Sequence, residues 1–95
     1  MRRVLVTIKG QVQGVFFRAG IAEHANKLKI NGWVKNSNND VEAVFEGKDD
    51  TVAEMLEFCL IGPKGAKVKS LEIDEEPYVG DYNSFEIEEW KIVLY

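Results

Sequence analysis

The segment Lys9 to Gly20, KGQVQGVFFRAG, places Gly10, Gly14 and Arg18 where a strand-like run gives way to helical spacing. Glycine reaches backbone conformations closed to other residues, and a loop of successive amides feeding a helix N-terminus presents N–H donors to an anion of phosphate size. Arg18 sharpens that reading. A cation in the first turn of a helix opposes the dipole by roughly 0.3–1 kcal/mol, and an anion held between the guanidinium fork and the free amides removes the conflict. An arbitrary arginine is a solvated surface residue; the loop before it sets this one apart.

Asn36 is the second residue with usable chemistry. It is either a turn residue satisfying its own backbone or a carboxamide, with donors and an acceptor, able to orient a water beside the anion. Its approach to Arg18 depends on strand order, which periodicity does not supply. Other reactive types read as bland. His24 lies within a helix without a second ligand at metal spacing, and Cys59 falls on an apolar stripe with no base nearby. Asp74, Glu75 and Glu76 precede Pro77 and read as a solvated turn.

The elements that must position these residues follow from periodicity. Residues 3–9 alternate, with Val4, Val6 and Ile8 on one face, as a strand does. Phe17, Ile21, Ala25 and Leu28 then recur at helical spacing, and Asn31-Gly32 is the expected stop. GWVKNS and DVEAVFEG read as a hairpin turning at Asn38, Asn39 and Asp40, with Val41, Ala43 and Phe45 on one face. A second helix opens at Asp49 and Asp50 with a capping box from Thr51 to Glu54, buries Val52, Met55, Leu56 and Cys59, and stops at Gly62-Pro63. Residues 66–73 form a strand in which the parity change between Val68 and Leu71 points either to a bulge or to a misjudged register. EEPYVGDYNS reads as a surface loop, and SFEIEEWKIVLY as a final strand or two short ones. The order β-α-β-β-α-β plus an edge strand predicts an α+β, ferredoxin-like sandwich, two helices on one antiparallel sheet.

Composition bounds the function. A chain of 95 residues, 45% apolar and 29% charged, is expected to form one globular domain over 1–95. A net charge of −4 opposes binding of a long polyanion, although one local site can hold a small anion. The strands VLVTIKG and VEAVFEG also lack the basic-glycine-aromatic pattern that RNA-recognition sheets use for stacking. One cysteine and one histidine predict no disulfide, no metal and a reducing, cytoplasmic compartment. The N-terminal apolar run is too short for an export signal, and no membrane span is expected.

GQVQGVFFR followed by GWVKN resembles the acylphosphatase family, and the resemblance continues through VEAVFEG, GPKGAKV and FEI. It implies the ferredoxin-like fold and hydrolysis of the carboxyl–phosphate bond of small acyl phosphates without metal or cofactor. It further implies that Arg18 binds the phosphoryl group with the backbone amides of Gln13, Gly14, Val15, Phe16, Phe17 and Arg18, while Asn36 positions the attacking water. The implied partners are the acyl phosphate and inorganic phosphate, with no nucleic acid, no membrane and a monomeric chain. The sequence departs from the family pattern at NSNNDVEAV, where Asp40 takes a glycine position and the turn is one residue shorter, so Asn38 or Asn39 would have to adopt the left-handed conformation. A non-catalytic small-anion-binding module of the same fold is the alternative. The tail WKIVLY has three roles open to it: pairing with an edge, covering the sheet, or self-association.

Overall fold

The computed structural model describes residues 1–88; the expected strand continuation and tail from residue 89 onward lie outside them. The elements run β1 (Arg2–Gln11), α1 (Val15–Lys27), β2 (Asn31–Ser37), β3 (Asp40–Gly47), α2 (Asp49–Ile61), β4 (Lys67–Glu76) and β5 (Phe85–Ile87). The strands form one sheet in the order β4-β1-β3-β2-β5. The three pairs among β4, β1, β3 and β2 are antiparallel as expected, whereas β5 runs parallel to β2 along the edge.

Alternation explains which face of this sheet the helices cover. Val4, Val6 and Ile8 of β1 and Val41, Ala43 and Phe45 of β3 are completely buried, as period-two side chains on a covered face must be. Val34 of β2 and Phe85 of β5 continue the layer, with the Phe45 and Phe85 rings stacked 5.7 Å apart. From above, α1 contributes Phe17, Ile21 and Ala25, and α2 contributes Val52, Met55, Leu56 and Cys59. Helix α1 packs over β2 and β5, and α2 over β4, β1 and β3.

Several local readings are corrected. Helix α1 ends at Lys27, before the expected Asn31-Gly32. The amides of Lys29 and Ile30 donate to the carbonyls of Asn26 and Ala25, a Schellman closure in which Lys29, at φ 57°, takes the place glycine usually fills. Asn31 is already strand. The capping box is not formed: Lys48 is the N-cap, no side chain caps the helix, and Thr51 Oγ1 donates instead to the Lys48 carbonyl at 3.0 Å. Strand β4 extends to Glu76, so Glu75 and Glu76 are not a solvated turn. Both are paired on the sheet, Glu75 accepting from Arg2 at 2.8 and 2.9 Å and Glu76 from Arg3 at 2.9 Å. The Arg2 hydrogen bonds hold the Glu75 carboxyl below its ordinary range. The bulge is where parity put it: Lys9 pairs with Ser70 and Gly10 with Val68, leaving Lys69 without an opposite residue.

Cys59 is fully buried, and burial pushes its thiol up to about 12. The folded chain therefore keeps a proton that the unfolded chain releases above the ordinary value of 9.0. The unfolded state binds fewer protons there, so this group lowers stability as pH rises from about 9 towards 12 and contributes nothing below. Urea midpoints of the parent and of Cys59→Val, measured across that window, are expected to fall more steeply with pH for the parent. Parallel profiles would show that the thiol keeps its ordinary value. No helix among the described residues is long and apolar enough to cross a membrane.

Candidate active site

The segment between β1 and α1 is shaped by its two glycines. A Cβ on Gly10 would lie 2.2 Å from the Lys67 carbonyl oxygen, so the bulge closes only around a residue without a side chain. Gly14, the N-cap of α1, has φ 121° and ψ 154°, a combination essentially restricted to glycine. No side chain caps this end and no acidic residue occupies its first turn. The leading amides of α1 thus keep their donors available at the positive end of the dipole.

Arg18 stands on the first turn of this helix yet is only 8% exposed. It shares the buried side of α1 with Ile21 and Ala22, so its stem packs against the protein instead of extending into solvent. Its Nε is buried and has no hydrogen-bond partner, and no carboxylate among the described residues pairs with its guanidinium. The other buried side-chain atom lacking a partner among the described residues is Asn36 Oδ1. Burying either group unpaired is costly, several kcal/mol for a charge and about 1–3 for a carbonyl. That the described fold has both at one end of the sheet is the central fact about its chemistry.

Register shows why they belong together. Asn36 pairs with Val41 and Val41 with Ile8, so one row carries all three on the helix-covered face. Two strand spacings put Asn36 about 10 Å from the β1 row that leads into the glycine loop. Helix α1 begins at that same end and runs back over β2, which brings its first turn to the side of the sheet where Asn36 projects. The strand order that periodicity left open is the order that places Arg18 and Asn36 on a common face.

The short turn is accommodated. Ser37 pairs with Asp40, leaving Asn38 and Asn39 as a two-residue connection, and Asn38 takes φ 56°. Gln13 has a function the sequence did not disclose. Its side-chain Nε2 donates to the carbonyls of Asn38 and, at 3.1 Å, Asp40, tying the loop before α1 to the turn that follows Asn36. Its position between two glycines is the only sequence signal for that tie. His24 and Cys59 are not brought to this end as reactive groups: His24 stacks on Phe58 at 3.9 Å between the helices, and Cys59 is core.

Two helices on a five-stranded sheet, the first helix opening on an uncapped glycine loop, define the class: a small α+β domain of the ferredoxin-like kind. The profile of the acylphosphatase family matches residues 4–87, and the chain belongs to that family. It is 47% identical over 88 residues to an acylphosphatase of Syntrophus aciditrophicus, covering 92% of each chain. In structure it is similar to acylphosphatase from Bacillus subtilis, with a TM-score of 0.87 at 30% identity over 93% of this chain and 99% of that one. An acylphosphatase from Coxiella burnetii aligns with a TM-score of 0.85 at 38% identity over 92% of each.

Proposed function

We propose that the protein is an enzyme hydrolysing the carboxyl–phosphate bond of small acyl phosphates, releasing carboxylate and inorganic phosphate. Arg18 and the amides of Gln13, Gly14, Val15, Phe16, Phe17 and Arg18 bind the phosphoryl group, and Asn36 orients the attacking water. The observation that carries this reading is the pair of buried atoms, Arg18 Nε and Asn36 Oδ1, left without partners at one end of the sheet. One is a donor on a cation, suited to a phosphoryl oxygen; the other is an acceptor, suited to a water proton.

The reaction asks little else of the chain. Water attacks phosphorus as the bond to the acyl oxygen breaks; the carboxylate leaves with the bonding electrons, and the water's proton passes to a phosphoryl oxygen, so the dianionic substrate yields carboxylate and dihydrogen phosphate. A carboxylate is a good leaving group, so orientation and charge stabilisation can supply most of the acceleration. By accepting a hydrogen bond from the water, Asn36 Oδ1 directs the oxygen lone pair towards phosphorus.

Hydrolysis of benzoyl phosphate, followed by its ultraviolet absorbance with inorganic phosphate as competitor, tests the reading. Phosphate-inhibited turnover is expected; a folded protein that binds phosphate and leaves benzoyl phosphate intact would instead be an anion-binding module. Asn36→Ala is expected to lower kcat by about 100-fold while changing phosphate inhibition by less than about threefold, because it removes an interaction with water and leaves the anion cradle. Equal losses in both quantities would overturn the role given to Asn36.

A further inference from the structure

The loop that precedes α1 also borders the connection between α2 and β4. There Gln11, Gln13, Phe16 and Phe17 face Pro63 and Lys64 of the α2–β4 connection across a cleft of about 240 Å³. Neither Arg18 nor Asn36 lines it. The far wall is held close to the helix: a Cβ on Gly20 would come within 2.7 Å of the Pro63 ring, and one on Gly62 within 3.8 Å of the Phe17 ring. The cleft is therefore set by packing of the connection against α1.

Two features of its lining are unexplained by the fold. Phe16 is 88% exposed in the first turn of α1, immediately beside the loop amides, so almost none of its apolar surface contributes to folding. Lys64, exposed on the opposite wall, has no carboxylate partner among the described residues, a condition it shares with Lys29, Lys48, Lys67 and Lys69, but of these five it is the one that lines the cleft. An apolar face and a free cation across one cleft match a short apolar chain ending in an anion.

We infer that this cleft receives the acyl group of the substrate, and that Phe16 and Lys64 make the protein prefer acyl groups ending in a second carboxylate over neutral ones of equal length. The inference rests on the acyl phosphate reading above and goes further by naming the acyl class. The phosphoryl group occupies the loop amides, two of which belong to the cleft-lining residues Gln13 and Phe16; the chain lies against the Phe16 ring, and its distal carboxylate meets the Lys64 ammonium.

The test compares succinyl phosphate with butyryl phosphate, both of four carbons and differing in the terminal carboxylate. The ratio of their kcat/KM values is measured for the parent, Lys64→Met, Lys69→Met and Phe16→Ala. Lys64→Met is expected to lower the succinyl-to-butyryl ratio about fivefold, the scale of one solvent-accessible ion pair. Phe16→Ala is expected to raise KM for both substrates about tenfold, since both chains lose the ring. Lys69 lies outside the cleft lining, and its removal is expected to leave the ratio within about 1.5-fold of the parent's. An unchanged ratio in Lys64→Met, an equal fall in Lys69→Met, or an unchanged KM in Phe16→Ala would each overturn the assignment while leaving acyl phosphate hydrolysis standing. If the parent hydrolyses neither substrate, the functional reading itself fails and this assignment with it.

Discussion

Arg18→Gln is expected to lower benzoyl phosphate turnover about 100- to 1000-fold, to abolish inhibition by inorganic phosphate, and to leave the protein at least as stable as its parent. The first two effects follow from the role proposed for Arg18, a preorganised cation at the site of developing charge. The third separates this site from an ordinary structural arginine. Arg18 is buried beside Ala22 with an unpartnered Nε, so the folded chain bears a desolvation cost that no described carboxylate offsets. Glutamine removes the charge and keeps much of the stem, relieving that cost. Thermal melts of the two proteins, run without phosphate and then at saturating phosphate, check the argument. The variant should melt at or above the parent's temperature without phosphate, and only the parent should gain stability when phosphate is added, because binding to the native state stabilises by mass action. A variant much less stable than its parent would show that Arg18 serves the core, and the anion-binding role would have to move to the amides alone.

What could be read from the sequence tracks how local each determinant is. Val4, Val6 and Ile8 alternate, and Phe17, Ile21 and Ala25 recur at helical spacing, so the burial of both sets was legible. The parity break between Val68 and Leu71 pointed to a bulge or a misjudged register, and the bulge at Lys69 is the one of the two that the pairing bears out. The helix ends were not legible. Thr51 and Glu54 have the spacing of a capping box, yet the helix begins two residues before Thr51, and Lys29 closes α1 where glycine would be expected. Those outcomes depend on tertiary packing: Ile30 is drawn into the core, and the chain must turn at Lys29 to deliver it. For the site, the identities of Arg18 and Asn36 stood out, but their common face required the β1-β3-β2 order, a long-range property. The Gln13 tie and the cleft beside Phe16 needed the same information. Both lie between segments distant in sequence.

Arg3→Met carries the largest expected loss of stability, about 3–5 kcal/mol, with catalysis by the folded fraction unchanged. On the face of the sheet away from the helices, the Arg3 guanidinium donates to Glu76 at 2.9 Å, Asp81 at 3.0 Å and Glu46 at 3.4 Å, and lies 5.3 Å from the centroid of the Tyr82 ring. Tyr82 in turn accepts from Trp33 Nε1 through its hydroxyl at 3.0 Å and from Asn31 Nδ2 through its carbonyl at 3.1 Å. These contacts fasten the segment that crosses from β4 at one edge of the sheet to β5 at the other. Glu46, whose side chain is 2% exposed, supplies the energetic stake. Without Arg3 its carboxylate is buried without its cation, the circumstance in which breaking an ion pair costs most. For a domain of this size the melting temperature should fall on the order of 15–25 °C. Arg3→Met combined with Glu46→Leu should recover most of that loss, because an apolar pair of similar volume leaves no stranded charge. A double variant as unstable as Arg3→Met would mean that the lost anchor of residues 77–84, and not the buried carboxylate, sets the cost. The Arg3 row, which pairs with Glu46 and through it with Asn31, lies five residues along β1 from the Ile8 row, about 17 Å away. At that separation the network can be dismantled without moving Arg18 or Asn36, so kcat per folded molecule at 25 °C should stay within about twofold of the parent.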